Sequence, residues 1–413
     1  MNKNKTFKEF AISDEIVTAL TSLRYFHPTK VQEEVIPLAL EGKDVIVESQ
    51  TGSGKTVSYG VPLCETVDWE ENKPQVLVLV PTRELAIQVK EDLMNIGRLK
   101  RVKATAVYGK ASFDTQKSEL KQKSHIVVGT PGRVLDHLQK GTFKVEKIDC
   151  LVLDEADEML NMGFADQVEA IINFLPAERQ TLLFSATMPK EIERIASFYM
   201  KQDKQSIVIE TTELSKPKII QSSVKVQEDK KEQQLLDLLT VENADSCMIF
   251  CNTQEAVNNL YTFLNKAGLP IDKIHGGMVQ EDRFSVMDDF RQGRFRYLVA
   301  TDVAARGIDI ENVTHVVNFD VPVEKESFVH RTGRTGRAGK TGMALTLVTP
   351  KEEKWWNEVK AYAGQTVIEV SLPTTRLVQS HKTSFGKKLQ ERPPLKQVRS
   401  KELNRDITKV YFN

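Results

Sequence analysis

Residues 44–56 read DVIVESQTGSGKT, and this stretch decides the fold. Its first half is an apolar run between two acidic side chains, which predicts a short buried β-strand. SQTGSGKT at 49–56 follows, and a stretch with helical periodicity comes next. Gly52 and Gly54 allow the backbone to turn its N–H groups inward around an anion. A strand, a glycine-rich loop and a helix in this order predict a phosphate-binding loop in a parallel α/β sheet.

The side chains of this loop can bind a nucleoside triphosphate. Lys55 can reach the terminal phosphates, and the hydroxyl of Thr56 is a ligand for Mg²⁺. A Gly/Ser-rich surface turn is the alternative interpretation, which the position between a strand and a helix disfavours. The nucleotide contacts predicted in the loop are Thr51, Gly52, Ser53, Gly54, Lys55 and Thr56.

Short apolar runs alternate with helical patterns along most of the chain. Such runs, rich in Val, Ile and Leu, are typical of parallel strands buried on both faces. The first group of predicted strands is 44–48, 75–80, 105–108, 125–128, 150–154 and 181–184. The second group is 246–251, 272–275, 297–301, 315–319 and 343–348. Helical stretches between the strands, such as 83–96 and 164–174, complete repeated strand–helix units.

A polar stretch at 201–217, closed by a proline, separates the two groups. We therefore predict an α/β protein with two tandem lobes of similar design. The predicted boundaries are 1–205 for the first lobe, 206–217 for a linker, 218–370 for the second lobe and 371–413 for a basic extension. Two lobes of one design favour a site in the cleft between them.

Charge is unevenly distributed along the chain. The 413 residues contain 57 basic and 57 acidic side chains, so the formal net charge of zero indicates no particular partner. Residues 371–413 hold ten Lys/Arg and three Asp/Glu, a net charge of +7. A basic end on an acidic body predicts contact with nucleic acid. A solvated tail without a partner is the alternative.

The remaining composition indicates a cytoplasmic protein. Four cysteines are too few for a disulfide framework in a chain of this length, so we expect buried free thiols. Cys247 and Cys251 lack the spacing and the second ligand pair of a zinc site. The chain has neither an apolar run of ~18 residues nor a signal peptide at its start.

DEAD at 154–157 follows the apolar strand predicted at 150–154. A carboxylate at the end of a buried strand, here Asp154, can hold Mg²⁺ through water in a P-loop enzyme. The adjacent Glu155 can orient and polarise the attacking water. An acidic surface turn is the alternative, and the phosphate-binding loop earlier in the chain favours catalysis.

HRTGRTGRAG at 330–339 lies in the predicted second lobe. Arg334 and Arg337 have a spacing that lets both reach one target. If the lobes close, both arginines can supply positive charge to the γ-phosphate, as an arginine finger does. The competing interpretation is a basic loop that binds an RNA backbone.

The motifs, taken in order, resemble those of the DEAD-box RNA helicases of superfamily 2, over about residues 5–370. The chain is most similar to the bacterial DbpA-type subfamily. The resemblance implies two RecA-like lobes and an RNA-stimulated ATPase. The matching segments are SQTGSGKT (49–56), PTRELA (81–86), TPGR (130–133), DEAD (154–157), SAT (185–187), IFCNT (249–253), HGGMVQEDR (275–283), ATDVAARGID (300–309) and HRTGRTGR (330–337).

The resemblance also assigns individual residues. YFHPTKVQ at 25–32 resembles the family's Q motif, which implies that Gln32 reads adenine while Tyr25 or Phe7 packs against the ring. Asp309 is implied near the ribose. Coupling between the lobes is implied for Asp157, Ser185, Thr187, Asp302 and His330. RNA contacts are implied for Pro81, Thr82, Arg83, Gly109, Thr130, Gly132, Arg133, Gln280, Arg283 and Thr301.

Three positions depart from the family pattern. Lys110 and Arg24 stand where the family usually has glycine, and Thr332 stands where it usually has isoleucine. The glycine departure at 110 puts a close approach of the RNA to that backbone in doubt. None of the three removes a catalytic group.

The resemblance implies an ATP- and Mg²⁺-dependent RNA helicase that locally unwinds short duplexes, with ribosomal RNA in ribosome assembly as a target. We expect a monomer without membrane contact. An ATP-gated RNA clamp or assembly platform is the alternative, and the Q motif argues against a DNA helicase. DITKVYFN at 406–413 resembles the first strand of the RRM-like domain that follows the core in DbpA-type proteins. It suggests a truncated chain, with a natural basic tail as the alternative.

Overall fold

The computed structural model describes residues 5–49, 52–209, 218–302, 313–336, 341–364 and 366–373. The chain divides into two compact units, Met1–Thr212 and Glu213–Asn413. Each unit is built on one seven-stranded sheet. Every strand pair within the described residues is parallel. The predicted fold class, two tandem α/β lobes, is confirmed.

In the first unit the spatial strand order is β3-β4-β2-β5-β6-β1-β7. Its strands are Val45–Glu48 (β1), Val76–Leu79 (β2), Ala104–Val107 (β3), Ile126–Gly129 (β4), Cys150–Leu153 (β5), Gln180–Ser185 (β6) and Gln205–Val208 (β7). Its α-helices are Asp14–Ser22 (α1), Lys30–Leu40 (α2), Lys55–Thr66 (α3), Arg83–Ile96 (α4), Phe113–Lys121 (α5), Pro131–Gln139 (α6), Ala156–Asn161 (α7), Ala165–Phe174 (α8) and Lys190–Tyr199 (α9). Short 3₁₀ turns occupy Phe7–Glu9 and Arg98–Lys100.

In the second unit the order is β10-β11-β9-β12-β13-β8-β14. Its strands are Lys218–Lys225 (β8), Cys247–Cys251 (β9), Ile271–Ile274 (β10), Tyr297–Thr301 (β11), His315–Asn318 (β12), Thr341–Val348 (β13) and Val367–Val370 (β14). Its described α-helices are Lys231–Glu242 (α10), Gln254–Lys266 (α11), Gln280–Arg291 (α12), Lys325–Thr332 (α13) and Glu353–Ala363 (α14), with a 3₁₀ turn at Glu228–Lys230. When the strands of each unit are numbered from one, the two orders are identical.

The central strands are apolar at every position because the sheet is covered on both faces. In β2, Val76 and Val78 belong to one hydrophobic cluster, and Leu77 and Leu79 belong to the other. Successive side chains of a strand point to opposite faces, so a strand between two helix layers needs an unbroken apolar run. This requirement explains why apolar runs located most of the inner strands; the inner strand β8, which contains the polar residues Gln221, Ser222 and Ser223, was not predicted.

The structure confirms every strand predicted in the two lobes, with most ends displaced by a residue or so. The predicted boundary between the first lobe and the linker is wrong, because residues 206–208 lie in β7, which pairs with β1. Three of the four β7 residues are exposed, so this edge strand lacks the apolar run of the inner strands. Residues 210–217 and 374–413, including the strand predicted at 406–413, lie outside the described residues.

The four cysteines are free and buried, as composition predicts. Burial raises the pKa of the Cys64 thiol to about 12. Among the described residues, no helix has both the length and the apolar composition of a membrane span.

Two departures from the family pattern fall where the backbone is left-handed. Arg24 has φ 66° and Lys110 has φ 59°. Glycine adopts this conformation without a steric penalty, whereas a residue with a Cβ atom is strained in it. At both positions this chain keeps the backbone conformation that suits the family's usual glycine, although it has a larger residue there.

The third departure is accommodated by hydrogen bonding. Thr332 is 3% exposed. Its Oγ1 donates to the carbonyl oxygens of Phe328 at 2.9 Å and Val329 at 3.0 Å. A buried hydroxyl costs stability only when it lacks a partner, so threonine replaces an apolar residue here without an unpaired polar group.

The strain at Arg24 can be measured directly. We expect Arg24→Gly to have a higher free energy of unfolding than Arg24→Ala, by about 1 kcal/mol, because only alanine keeps the strained Cβ. Urea unfolding of both variants gives the difference. Glu41, at φ −75°, is the matched control, where the glycine variant should be the less stable of the pair. Equal stability of the two Arg24 variants would show that this position carries no strain.

Candidate nucleotide and nucleic-acid sites

The phosphate-binding loop of the first unit connects β1 to α3. Gly52 has φ 80° and Gly54, the N-cap of α3, has φ 94°. A Cβ atom on Gly54 would lie 2.5 Å from Nε2 of Gln32. The left-handed backbone therefore favours glycine at position 54, and a Cβ atom there would also displace the Gln32 amide. The N-terminus of α3 faces the loop, as phosphate binding requires.

Lys55 is held inside the loop. Its side chain is 7% exposed, and its Nζ donates to the carbonyl oxygen of Ser49 at 3.1 Å. The hydroxyls of Ser49 and Ser53 lie 3.2 Å apart. The ammonium group is thus placed beside the backbone that would surround a phosphate. Thr56 follows in the first turn of α3, and Thr51 lies outside the described residues.

Gln32 links helix α2 to the phosphate-binding loop. Its Nε2 donates to the carbonyl oxygen of Gly54 at 3.1 Å, and its Oε1 accepts from the backbone N–H of Thr29 at 3.0 Å. Thr29 Oγ1 donates in turn to the carbonyl oxygen of Ser53 at 2.9 Å. These two bonds use one N–H and one oxygen lone pair of the Gln32 amide, which has two of each, so the same side chain can hold the loop and pair with adenine.

The two aromatic residues predicted near the base differ in accessibility. Phe7 is 3% exposed, and its ring centroid lies 6.0 Å from that of Phe10 in the hydrophobic core. Tyr25 is 42% exposed. Tyr25 is therefore the better placed of the two to meet a ligand from solvent.

Asp154 lies directly after β5 and is 3% exposed. Tyr59 Oη donates to its Oδ2 at 2.9 Å. Burial raises the pKa of the Asp154 carboxyl above its usual value, while the Lys55 ammonium and the Tyr59 hydrogen bond oppose this effect. The strand order places Asp154 and the phosphate-binding loop on either side of β6.

The oxygen donors of this region suit Mg²⁺. Within the described part of the chain, no group of three or more His, Cys, Asp or Glu side chains could hold a metal ion. The available donors are the Asp154 carboxylate and the Thr56 hydroxyl. Mg²⁺ prefers one or two hard protein oxygens completed by water and phosphate, so this donor set fits the ion.

Glu155 has an unusual backbone. It is the N-cap of α7 with φ 52°, and its N–H donates to Asp154 Oδ1 at 2.9 Å. A left-handed non-glycine residue costs about 1–3 kcal/mol and is often found at functional sites. The conformation directs the chain sharply from β5 into α7 beside the phosphate-binding loop.

Asp157 joins the DEAD segment to SAT at 185–187. Its Oδ2 accepts from the N–H of Thr187 at 2.9 Å, from Thr187 Oγ1 at 3.0 Å and from the N–H of Ala186 at 3.2 Å. Ser185 Oγ accepts from the N–H of Asp157 at 3.2 Å and donates to the carbonyl oxygen of Thr187 at 2.6 Å. The structure thus brings together three of the residues predicted to couple the lobes.

The predicted RNA contacts of the first unit share one edge of its sheet. They follow the carboxyl ends of β2, β3 and β4, which are neighbours. Thr82 caps α4 by accepting from the N–H of Leu85 at 3.3 Å. The residues on this edge are Pro81, Thr82, Arg83, Gly109, Thr130, Gly132 and Arg133.

Arg133 also braces its surroundings. Its Nη1 donates to the carbonyl oxygen of Ala111 at 3.0 Å and to Gln116 Oε1 at 3.1 Å. These bonds hold the loop that follows β3 and contains Gly109 and Lys110. Arg133 therefore shapes the predicted RNA edge in addition to any direct contact.

The second unit contains a buried arginine that sequence reasoning missed. Arg331 is 1% exposed, and its Nε and Nη2 donate to the Asp302 carboxylate at 2.5 and 2.6 Å. It also donates to Asn252 Oδ1 at 2.7 Å and to the carbonyl oxygen of Asp320 at 2.8 Å. Arg331 lies three residues after the buried Phe328 on α13. That spacing is the one sequence signal for its burial.

Asp320 belongs to the same cluster. Its Oδ1 lies 3.0 Å from Lys231 Nζ, and its Oδ2 accepts from the N–H of Asn252 at 3.0 Å. Lys231 is the first residue of α10. The cluster therefore ties Asp302 and α13 to the start of α10.

Within the described residues, the other predicted site residues of the second unit lie on β11, on α12 and on or just after α13. Thr301 ends β11 and is 7% exposed, and Arg283 is 5% exposed on α12, the helix that Gln280 begins. His330 lies on α13, and Arg334, 9% exposed, follows that helix. Asp309 and Arg337 lie outside the described residues.

Comparison with known proteins identifies both units. The DEAD/DEAH box helicase family matches residues 29–195. The helicase conserved C-terminal domain matches residues 230–339. The chain is 58% identical over 407 residues to the ATP-dependent RNA helicase DbpA of Bacillus subtilis, covering 98% of this chain and 85% of that protein. It is 48% identical to the DEAD-box ATP-dependent RNA helicase CshA of Geobacillus kaustophilus, covering 84% of this chain and 74% of that one.

Solved structures agree in fold. S. cerevisiae Dbp5 bound to RNA and ADP BeF3 matches with a TM-score of 0.82 at 30% identity, over 92% of this chain and 99% of that chain. Mss116p bound to ssRNA and AMP-PNP matches with a TM-score of 0.78 at 28% identity, over 89% of this chain and 79% of that chain. Family matches to both units, identity along nearly the whole chain and a shared fold lead to one conclusion: the chain belongs to the DEAD-box family of ATP-dependent RNA helicases.

Proposed function

We propose that this helicase hydrolyses ATP in a cleft that forms when the second unit closes on the phosphate-binding loop of the first, and that closure locally separates short RNA duplexes. The observation that carries the proposal is the placement of Lys55 and Asp154 at the carboxyl ends of β1 and β5, on either side of β6. The ammonium of Lys55 lies close enough to oppose the rise in the pKa of Asp154 that burial causes. A phosphate chain between them meets positive charge on one side and a carboxylate for Mg²⁺ on the other.

Each residue of the first unit has a defined task in this proposal. Lys55 exchanges the Ser49 carbonyl oxygen for phosphate oxygens, and Glu155 orients the attacking water. Asp154 and Thr56 would hold Mg²⁺, which would neutralise charge that develops on the phosphates. Phosphoryl transfer needs mainly positioning and electrostatic stabilisation, so these few groups suffice on the first unit.

The second unit completes the site only on closure. Arg334 and Arg337 then reach the γ-phosphate, Asp309 lies near the ribose, and His330 and Asp302 connect the units. Single-stranded RNA on the predicted contacts favours the same closed state as ATP. Two ligands that favour one state strengthen each other's binding, so RNA should stimulate ATP hydrolysis.

The target and the location of the protein are also proposals. The resemblance to the DbpA-type subfamily and the 58% identity to DbpA support ribosomal RNA in ribosome assembly as the target. We propose the cytoplasm as the location. A strand-displacement assay on a short duplex separates this proposal from an ATP-gated RNA clamp. A clamp holds RNA with ATP bound and releases no strand.

Glu155→Gln tests the catalytic assignment. We expect ATP binding to persist while RNA-stimulated turnover falls about a thousandfold or more, because a group that orients the water acts in the chemical step. Glu178→Gln, at an exposed position of the same unit, is the control for loss of a carboxylate. Near wild-type turnover in Glu155→Gln would refute the assigned role.

Gln32→Ala tests whether the amide reads the base. The wild type should hydrolyse ATP well and GTP poorly, since one amide cannot pair with both purine edges in one pose. The preference for ATP over GTP is the ratio of the two kcat/KM values, expressed as a free energy. We expect Gln32→Ala to reduce this free energy by about 1–3 kcal/mol. Thr29→Ala removes a loop contact on the Ser53 carbonyl without touching the base and is the matched control. If both variants weaken ATP and GTP equally, Gln32 only braces the loop.

Arg334→Ala tests closure. We expect nearly unchanged binding of a fluorescent ATP analogue with abolished hydrolysis, because an arginine finger acts mainly in the transition state. Arg337→Ala should behave alike. Thermal unfolding of each variant serves as the stability control. Arg331→Ala is the contrasting variant, which we expect to have a lower Tm because Asp302 loses its buried partner. A large loss of affinity with unchanged kcat would make these arginines ground-state ligands.

A further inference from the structure

An exposed tryptophan with two cations lies outside every helicase motif. Trp69 is 41% exposed. The guanidinium carbon of Arg101 lies 5.1 Å from its ring centroid, and Nζ of Lys123 lies 5.4 Å from it. These three residues, here named the Trp69 surface, come from three separate loops of the first unit. An aromatic side chain beside an arginine and a lysine is the usual composition of a single-stranded nucleic-acid contact.

The loop that carries Trp69 is held rigidly. Gln75 Nε2 donates to the carbonyl oxygen of Asp68 at 2.9 Å, and its Oε1 accepts from the N–H of Asp68 at 2.8 Å. The buried His125 accepts from the N–H of Lys103 through Nδ1, at 2.9 Å. Its Nε2 then carries the proton and donates to the carbonyl oxygen of Trp69 at 3.2 Å. The indole is thus presented to solvent by a preorganised backbone, which lowers the entropy cost of binding.

The segments that place Arg101 and Lys123 beside Trp69 carry a net positive charge. Residues 97–103 read GRLKRVK, with four basic side chains and no acidic one. Residues 117–123 read KSELKQK, with three basic side chains and one acidic one. The Trp69 loop itself, residues 68–73, holds three acidic side chains and one lysine, so the three segments together carry a net charge of +4. Glu71 accepts from the N–H groups of Asn72 and Lys73, and Asp68 accepts from the N–H of Glu70.

The Trp69 surface and the predicted RNA edge lie at opposite ends of the same strands. Trp69 precedes β2, Arg101 precedes β3 and Lys123 precedes β4, whereas the RNA motifs follow these strands. β3 is the edge strand of the sheet. Strands of this length span only about 13 Å at ~3.3 Å per residue. A strand of RNA that leaves the motif edge near Gly109 can therefore pass beside β3 and reach Arg101.

We propose that the Trp69 surface is a second RNA-contact site: a base of a single-stranded flank replaces one cation on the face of the indole, and Arg101 and Lys123 contact the phosphates. The site rests on RNA binding at the motif edge and adds affinity only for RNA long enough to extend past it. Stacking of this kind is tolerant of sequence because every base has an aromatic face. The surface is an anchor for flanking RNA, outside the ATP-dependent cycle.

The experiment compares two unstructured RNAs: the shortest that fully stimulates the ATPase, and a longer one of the same composition. Trp69→Ala should weaken binding of the long RNA about fivefold or more and leave binding and ATPase with the short RNA unchanged. Trp69→Phe, which keeps an aromatic ring, should bind the long RNA nearly as well as the wild type. Phe198→Ala, which removes another exposed aromatic of the first unit, is the matched control. The long RNA should also quench tryptophan fluorescence in the wild type more than in Trp69→Phe.

The cations have their own readout. Replacing Arg101 and Lys123 by Gln should reduce the dependence of log K on log salt for the long RNA by about 1.4, because each neutralised phosphate of a single strand contributes ~0.7 to that slope. Equal weakening of short and long RNA by Trp69→Ala would mean that the residue only supports the lobe, and the inference fails. Unchanged binding of the long RNA also overturns it. A wild type that binds neither RNA would instead contradict the proposed function.

Discussion

Parallel strands buried on both faces impose one constraint from which the rest of this structure follows. Every such strand must be reached by a crossover through a helix, so all strand ends of one polarity lie at one edge of the sheet. Residues that are far apart in sequence, such as Lys55 and Asp154, become neighbours because β1 and β5 both flank β6. The chemistry is therefore assembled by the sheet, and individual loops supply only one or two groups each.

Much of the first unit's site is held by hydrogen bonds to the phosphate-binding loop itself. Gln32, Thr29 and Lys55 all donate to carbonyl oxygens between Ser49 and Gly54. Those carbonyls point away from the phosphates when the N–H groups point toward them. A movement of Lys55 can therefore shift the loop carbonyl oxygens that Gln32 and Thr29 bind, and so change the position of α2. The network of Asp157, Ser185 and Thr187 extends the same principle to the next strand.

The sequence was sufficient wherever burial or a motif left a local mark. Inner strands such as β2 have apolar residues throughout, and the glycine-rich loop has few alternatives in its strand–helix context. The edge strand β7 was not predicted because exposure removes the apolar pattern: three of its four residues are exposed, and residues 206–208 were assigned to a linker. Hydrogen-bond partners could not be derived, because the engagement of Gln32 with Gly54 and the burial of Arg331 depend on elements brought together only by the fold.

The identical strand order of the two units has a consequence for how their roles divide. Lys55 begins the helix after the first strand of its unit, and Lys231 begins the corresponding helix of the other. Asp154 and Asp320 likewise follow the corresponding fifth strands. In the second unit these equivalents pair directly, with Lys231 Nζ 3.0 Å from Asp320 Oδ1, and the loop at 226–230 has no glycine. The second unit therefore stabilises these strand ends with its own ion pair, at the place where the first unit has a glycine-rich loop.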